Sequence, residues 1–454
     1  MNEQNHAHDL FFGPSTVRDF PSVLAEVQEY ISSKYAALLL DSRKDDVKQQ
    51  IQFYIQKYLS DNRITVEGLS DAELISRLYV EMAEFSFLTK YIFGTGIEEI
   101  DINAWNDIEI YRSGGTKEKL EERFESPQHA INVVRRMLHT SGMVLDSASP
   151  AVLGHLSKNI RISALKTPLV DEDVGVCASI RIVNPQNFDK TDFVKSGTAT
   201  EPMLDFLSQI WRYGVSTCVA GATGSGKTTV AGWMLSTIPN DKRIYTIESG
   251  SRELALARTE GDKVVNSVIH TLTRPSENEM QNIDQDVLLD YALRFHPDYI
   301  CVGEMRGPEA FLAQEASRTG HPVLTTIHSN SCEATYRRMA TLCKRKYDMA
   351  EDVLMDLVTE AFPLIVFAKQ LENRERKIME IMECDIKRDG SREFRTIYRY
   401  NITENGYDGS GNFIVRGKHE FVCEISEGLK KRLIGNGMPK DVLSKLCKGE
   451  AIAC

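Results

Sequence analysis

The sequence lacks any long hydrophobic run. The longest apolar runs, YAALLL and FPLIVFA, are far shorter than the ~20 residues that a helix needs to cross a bilayer. The first residues, MNEQNHAHDLFFG, contain neither a basic segment nor a long apolar segment, so no signal peptide is predicted. We therefore expect a cytoplasmic protein that contacts a membrane only through a partner.

Paired cysteines and an excess of basic residues are also missing. The nine cysteines are odd in number and scattered, and no two of them form a C-x-x-C pair. This pattern argues against a disulfide framework or a zinc site and favours reduced thiols. Acidic residues outnumber basic ones by 65 to 54, which gives a net charge of −11. Because a nucleic-acid binder usually carries a basic face, direct nucleic-acid binding is not expected.

What the sequence does contain is the glycine-rich stretch GATGSGKTT at residues 221–229. It lies between a short apolar run, typical of a buried strand, and a segment with helical spacing of its apolar residues, and it fits G-x-x-x-x-G-K-[ST]. Without Cβ atoms, such a backbone can turn several N–H groups into one hollow, and the following helix adds its own free N–H groups. A flexible loop would not need the flanking strand and helix. We predict a nucleotide site at Gly221, Thr223, Gly224, Ser225, Gly226, Lys227, Thr228 and Thr229.

Three polar side chains follow predicted strands downstream of this loop. Glu248 ends the run KRIYTIE, Glu304 ends DYICVGE, and His328 ends HPVLTTIH, while His321 precedes the last of these strands. Alone, each acid is also compatible with a solvated strand end, and each histidine with an ordinary hydrogen-bonded side chain. Together they are expected on one edge of a parallel sheet, where a nucleotide enzyme holds Mg²⁺ or polarises water.

The remaining patterns divide the chain. Residues 1–88 are predicted to form a helical N-terminal extension, with a capping box at Ser70 and Glu73, and residues 89–184 an α+β domain. A polar stretch at 185–200 is typical of an interdomain linker. Strands and helices then alternate, which predicts a parallel sheet wrapped by helices within a motor domain at 201–454, with a C-terminal appendage from about 371.

With these motifs in this order, the sequence resembles the secretion and pilus-assembly ATPases of the type II/type IV secretion superfamily. It is most similar to the CpaF-like branch that serves tight-adherence (Tad-type) pili. The likeness rests on GATGSGKTT, IESGSREL, PDYICVGEMRGPEA and TGHPVLTTIHS, and more loosely on GIEEIDINAWNDIEIY, NIRISA and ASIRI. The resemblance implies an α/β fold: a RecA-like P-loop NTPase domain, preceded by a smaller α+β (PAS-like) domain and the helical extension.

The resemblance also implies an activity and its partners. It implies an ATP-hydrolysing homohexamer that uses ATP and Mg²⁺ and lies at the inner face of the cell membrane. There it would dock on an inner-membrane platform protein and power pilus assembly or protein secretion. Two alternatives stay open, namely a related motor for conjugative DNA transfer or pilus retraction, and a nucleotide-binding scaffold that does not hydrolyse.

Residue roles follow from the matching positions. The resemblance implies that Lys227 and Thr228 hold phosphate and Mg²⁺. It makes Glu304 the Walker B-like acid and a metal ligand, Glu248 the catalytic acid, and His328 a sensor near the γ-phosphate. One departure is Ser249, which stands where the family usually has a second acid.

Two arginines of the N-terminal half are implied as further catalytic residues. Arg161 in NIRISA and Arg181 in ASIRI match arginines that reach the nucleotide from the N-terminal domain in this family. Without the resemblance, both would be interpreted as solvated strand residues. A guanidinium binds phosphate oxygens in a bidentate way and can act as an arginine finger.

Overall fold

The structure is a computed structural model that describes residues 16–40, 45–112, 116–139, 141–157, 159–183, 188–274, 276 and 279–452. Residues 1–15 of the predicted extension and 185–187 of the predicted linker lie outside this range. The chain divides into two compact units, residues 1–183 and 184–454. Within the described ranges, no helix is both long enough and apolar enough to cross a bilayer.

The first unit begins with helices around a small core of their own. The predicted capping box is confirmed, because Ser70 accepts from the backbone of Glu73 while the Glu73 carboxylate accepts from the backbone of Ser70. Ile31, Ile51 and Ile55 are fully buried between the helices. The elements are β1 (Thr16–Arg18), α1 (Phe20–Leu40), α2 (Asp45–Asn62), β2 (Ile64–Val66), α3 (Asp71–Ala83) and α4 (Thr89–Ile92).

The rest of the first unit is an antiparallel sheet with one covered face. The strands run in the order β5-β4-β3-β8-β7-β6, and α5 (Pro127–His139) packs against β6, β7 and β8. Alternation decides which side chains face the helix, so Ile160 and Ile162 are buried while Arg161 lies on the other face. The strands are β3 (Ile97–Ala104), β4 (Asp107–Arg112), β5 (Thr116–Lys119), β6 (Ala151–Ser157), β7 (Ile160–Lys166) and β8 (Val176–Ile182).

A nine-stranded sheet forms the centre of the second unit, in the order β13-β10-β14-β15-β9-β16-β17-β18-β19. The first six strands of this order are parallel, as predicted, and the last three are antiparallel. The strands are β9 (Thr217–Ala220), β10 (Arg243–Glu248), β13 (Ser267–Leu272), β14 (Tyr299–Met305), β15 (Val323–Ile327), β16 (Leu364–Gln370), β17 (Arg376–Ile386), β18 (Arg392–Tyr407) and β19 (Phe413–Phe421). A separate small ribbon pairs β11 (Thr259–Glu260) with β12 (Lys263–Val264).

Helices cover both faces of this sheet. Successive residues of β9 join different hydrophobic clusters, Cys218 in one and Val219 in the other, so the strand is buried on both sides. The mixed α/β class predicted from the sequence is confirmed. The helices are α6 (Lys190–Lys195), α7 (Glu201–Arg212), α8 (Lys227–Ser236), α9 (Gln285–Ala292), α10 (Glu309–Arg318), α11 (Cys332–Lys344), α12 (Glu351–Ala361), α13 (Glu427–Gly435) and α14 (Lys440–Lys448).

Residues beyond 371, predicted as an appendage, continue the same sheet. β17 pairs with β16, and Leu433 of α13 and Leu446 of α14 pack into the cluster that contains α7 and α8. The backbone N–H of Ile452 donates to Asp205 of α7 at 2.8 Å. The predicted linker contains α6, which is capped by Asp189 and buries Phe193.

Candidate nucleotide site

The glycine-rich stretch forms the turn between β9 and α8. Gly221, Gly224 and Gly226 all have positive φ, at 155°, 76° and 89°. A Cβ on Gly221 would lie only 2.2 Å from the carbonyl oxygen of Ala368. The turn therefore requires glycine for its conformation and for the close approach of neighbouring backbone.

Lys227, the first residue of α8, lies over this turn. Its side chain is 8% exposed, and Nζ donates to the carbonyl oxygen of Ala222 at 2.9 Å. The same carbonyl accepts from the Ser225 hydroxyl at 2.8 Å. The lysine charge is thus held at the mouth of the loop, next to the N-terminus of a helix, where anions are favoured.

The threonines of the motif differ in their surroundings. Thr223 is exposed at the outside of the turn, while Thr228 and Thr229 lie half-buried in the first turn of α8. Neither of these two hydroxyls hydrogen-bonds within the described part of the chain. No group of three or more His, Cys, Asp or Glu side chains that would hold a metal ion by itself occurs among the described residues. The Thr228 hydroxyl in the first turn of α8 can supply one of the one or two protein ligands that Mg²⁺ usually takes beside phosphate oxygens and water.

At the carboxyl ends of β14 and β15, the structure brings two predicted residues together. Nε2 of His328 lies 3.0 Å from Oε1 of Glu304, although the contact lacks hydrogen-bond geometry. The other carboxylate oxygen of Glu304 accepts from Arg306 at 2.5 Å. Nδ1 of His328 lies 3.5 Å from Nζ of Lys227. Lys227, His328, Glu304 and Arg306 therefore form one continuous row beside the phosphate loop.

Contacts within the row determine the charge states of Glu304 and His328. Burial favours the neutral acid at Glu304, but the Arg306 hydrogen bond and the nearby positive charges outweigh burial and lower its pKa. Burial and the charge of Lys227 lower the pKa of His328, against the opposing charge of Glu304. At neutral pH the site therefore holds an ionised Glu304 and a neutral His328.

His321 lies apart from this row. It precedes β15, so it is at the amino end of the strand, whereas His328 follows the carboxyl end. Strand direction separates the two histidines of the motif, and only His328 lies beside the phosphate loop.

Glu248 ends β10, but its carboxylate is hydrogen-bonded to the backbone of the loop that follows it. It is 4% exposed, and Oε1 accepts from the backbone of Glu253 at 2.6 Å and of Leu254 at 2.9 Å. Oε2 makes no hydrogen bond among the described residues and lies 3.9 Å from Nδ1 of His270. Burial raises the pKa of Glu248 to about 7, against the lowering effect of the two backbone hydrogen bonds.

Sequence reasoning missed Gln285, which joins two strand ends. Gln285 is 9% exposed at the start of α9, and its Nε2 donates to the Ser249 hydroxyl and to the Glu304 carbonyl, both at 3.1 Å. Ser249, Gln285 and Arg306 line a cleft of about 380 Å³ beside the row. The hydroxyl at position 249 therefore serves as a neutral acceptor where the family usually has an acid.

Arg161 and Arg181 lie in the first unit, directly opposite each other. They are register partners on β7 and β8, and Glu99 on β3 is the next partner in the same row. Both arginines are half-buried on the face of the sheet opposite to its hydrophobic core. The structure thus places the two arginine residues opposite each other on one face of this sheet.

A phosphate loop between a buried strand and a helix, with polar residues at the carboxyl ends of adjacent parallel strands, defines a phosphate-loop protein of the α/β class. Within that class, the family described as Type II/IV secretion system protein matches residues 150–404. This match covers more than half of the chain, and the protein belongs to this family.

Three relatives illustrate the likeness. The chain is 29% identical over 265 residues to an uncharacterised protein of Methanocaldococcus jannaschii, covering 57% of this chain and 91% of the relative. It is 26% identical over 284 residues to a putative conjugal transfer protein of Mycobacterium tuberculosis, covering 60% and 78%. It is 30% identical over 187 residues to the type IV secretion system protein VirB11 of Bartonella henselae, covering 40% and 50%.

Proposed function

We propose that this protein is a Mg²⁺-dependent ATPase that powers a secretion or pilus-assembly machine. The observation that supports this most directly is the row Lys227, His328, Glu304 and Arg306 beside the glycine turn. It combines a cation for the phosphates with an ionised carboxylate at a strand end. These are the groups that phosphoryl transfer needs, because the protein must mainly position water and neutralise charge.

Each group has a distinct task in this proposal. The loop backbone and Lys227 bind the phosphates, and the Thr228 hydroxyl and Glu304 would hold Mg²⁺, which neutralises charge on the β- and γ-phosphates when bound. The ionised Glu304 accepts hydrogen bonds from the attacking water. Neutral His328, in contact with both Lys227 and Glu304, senses the γ-phosphate through changes in the charge beside it.

Catalytic roles for Glu248, Arg161 and Arg181 remain predictions. The contacts of Glu248 support a positioning role, because its carboxylate organises the segment that carries Glu253. The pKa of Arg306 is raised, first by its hydrogen bond to Glu304 and also by the charge of Glu253, which puts that segment close to the row. For the two arginines, pairing on adjacent strands supports a joint contact with phosphate.

The proposed setting is a homohexamer at the inner face of the cell membrane, docked on a platform protein. Family membership and the names of the Bartonella and Mycobacterium relatives support a role in a transfer machine. Within that setting, we propose a motor of the CpaF-like, tight-adherence pilus branch, on the motifs quoted above. Native mass spectrometry with a non-hydrolysable ATP analogue should detect six subunits, whereas a monodisperse monomer would count against the hexamer.

A second candidate is a motor for conjugative DNA transfer, favoured by the name of the Mycobacterium relative. Neighbouring genes separate the two candidates. Genes for prepilins and a prepilin peptidase support the pilus motor, and a relaxase gene supports DNA transfer.

Phosphate release from ATP in the presence of Mg²⁺ tests the activity itself. Lys227→Ala should abolish nucleotide binding or hydrolysis, and Glu304→Gln should retain binding and lose hydrolysis. Lys242→Ala is the matched control, because Lys242 is a half-buried lysine that pairs with Asp298 at the amino end of β10. Hydrolysis by Lys227→Ala at the parental rate would refute the site, and binding without hydrolysis in the parent would favour a scaffold.

A further inference from the structure

Arg376, the first residue of β17, reaches the phosphate loop from a distant part of the chain. Its Nε donates to the carbonyl oxygen of Gly224 at 2.9 Å, across a separation of 152 residues. We propose that Arg376 is a positioning residue that holds the phosphate loop in its nucleotide-binding conformation. This inference rests on the nucleotide site proposed above and assigns it a residue outside the sequence motifs.

The hairpin between β16 and β17 lies along the whole turn. A Cβ on Gly221 would meet the Ala368 carbonyl at 2.2 Å, and one on Gly224 would come 3.4 Å from Oε1 of Gln370. A Cβ on Gly226 would come 3.4 Å from Cδ of Arg376. Each of the three glycines with positive φ therefore faces this hairpin, so the glycines make room for it as well as for phosphate.

The hairpin is well suited to serve as a fixed support. Gln370 and Arg376 are register partners across it, and the backbone N–H of Leu371 donates to the Glu375 carbonyl at 2.8 Å. Nε2 of Gln370 donates to the Arg374 carbonyl at 3.2 Å. Since β16 is also hydrogen-bonded to β9, the hairpin and the phosphate loop follow adjacent strands of one sheet.

The hydrogen bond from Arg376 fixes the middle of the turn, between two carbonyls that are already hydrogen-bonded. The Ala222 carbonyl accepts from Lys227 and Ser225, and the Gly226 carbonyl accepts from Val230 of the helix. Gly224 lies between these anchored points. Because a peptide bond is planar and trans, fixing the Gly224 carbonyl also fixes the direction of the Ser225 N–H.

Glycine gives the turn its shape but leaves its backbone free to adopt others. A loop that must be ordered when the nucleotide arrives binds less tightly than one ordered beforehand. Arg376 therefore pre-organises the loop, and its exposed positive charge adds a favourable field for phosphate. An interaction of this kind should act mainly on nucleotide affinity, and less on the chemical step once the nucleotide is bound.

Binding of a fluorescent ADP analogue, with steady-state ATP hydrolysis, tests the proposal. Arg376→Ala should raise Kd and KM by about tenfold, the usual scale for losing one hydrogen bond to a charged donor, with kcat changed far less. Arg376→Lys should recover part of the affinity, because an ammonium can donate to a carbonyl but lacks the rigid fork. Arg416→Ala is the matched control, since Arg416 is an exposed strand arginine of the same sheet, paired with Glu404.

The outcomes are separable. Parental affinity in Arg376→Ala, equal losses in Arg376→Ala and Arg416→Ala, or a loss in kcat alone would each overturn the positioning role. If Arg376→Ala does not fold, as judged by circular dichroism, Arg376→Lys is compared with the parent instead. A weaker affinity in Arg376→Lys would then support the positioning role, and parental affinity would overturn it. Failure of the parent itself to bind the analogue would instead refute the proposed nucleotide site.

Discussion

Nε2 of His328 lies 3.0 Å from Oε1 of Glu304, at the ends of adjacent parallel strands. The contact joins a neutral imidazole to an ionised carboxylate, with Lys227 on the far side of the ring. Protonation of His328 would add a positive charge directly beside that of Lys227.

Hydrolysis should depend on the protonation of His328. Its pKa is lowered from 6.5, so the neutral form dominates at pH 6.5 and above and is lost only as the pH falls through this lowered pKa. The parent should lose activity on this acidic side, and His328→Gln should show a lower rate with a flatter acidic limb. Rate profiles against pH for both proteins measure this, and His321→Gln, at the other end of β15, should keep the parental profile.

The lowered pKa of His328 also links stability to pH. In the window between the folded-state pKa and 6.5, the unfolded chain binds more protons than the folded chain, so the stability due to this group falls as the pH falls. A parental acidic limb retained in His328→Gln would show that another group titrates.

Glu248 should behave as a structural carboxylate. Its pKa is raised from 4.5 to about 7, so folding is favoured at low pH and this stability, on the order of 3 kcal/mol, is lost as the pH rises through that interval. Glu248→Gln keeps an acceptor for the two backbone N–H groups and should unfold in denaturant with less pH dependence. Glu248→Ala should lose about 1–3 kcal/mol, because two buried donors lose their partner. A strong loss of kcat in a stably folded Glu248→Gln would support the catalytic assignment instead.

Arg161 and Arg181 should act on hydrolysis more than on folding. Removal of an arginine finger costs about 10³–10⁵ in rate in other nucleotide enzymes, and we expect Arg161→Ala and Arg181→Ala each to lower hydrolysis at least about tenfold. Lysine at either position should rescue only in part, because it keeps the charge and loses the fork. Melting temperatures and steady-state rates check this against Arg112→Ala, a strand arginine paired with Glu118. Unchanged rates in both variants would leave the first unit without a part in catalysis.

Gln285 should couple the ends of β10 and β14. Gln285→Met fills a similar volume but leaves Ser249 and the Glu304 carbonyl without this donor, so we expect about 1–3 kcal/mol less stability and slower hydrolysis. Ser249→Ala removes only one of the two bonds and serves as the control, with a smaller effect. Urea unfolding and ATPase rates measure both, and equal effects of the two variants would contradict the bridge to Glu304.

Much of the second unit was predictable because its signals are local. The glycine motif, the buried strand before it and the helix after it each depend on neighbouring residues, and the structure confirms this strand-turn-helix arrangement. The position of Glu304 and His328 on one edge followed from strand direction alone. By contrast, β18 is a 16-residue strand in which five residues are charged and few are buried, so its sequence resembles that of an exposed segment.

Gln285 and Arg376 could not be predicted as site residues for the same physical reason. Both donate to backbone carbonyls of segments far away in sequence, and every residue has a backbone carbonyl, so the sequence does not show which one will be the acceptor. Glu248 was named from the sequence and its catalytic role remains a prediction, but its backbone N–H partners in the following loop could not be foreseen in the same way. A strand-end acid has the same sequence signature whether it faces a nucleotide or its own loop.

The order of strands in the nine-stranded sheet has a consequence for synthesis. β9 is made early in the second unit, but the backbone of Val323, which binds Ser216 just before β9, comes 107 residues later, and Arg376 follows Gly224 by 152. At translation rates of ~5–20 residues per second, synthesis of these later segments follows that of the loop strand by roughly 5–30 seconds. Because such long-range pairing is slow and costly in chain entropy, a nascent chain that ends before β17 carries the whole glycine motif without the hairpin that supports it.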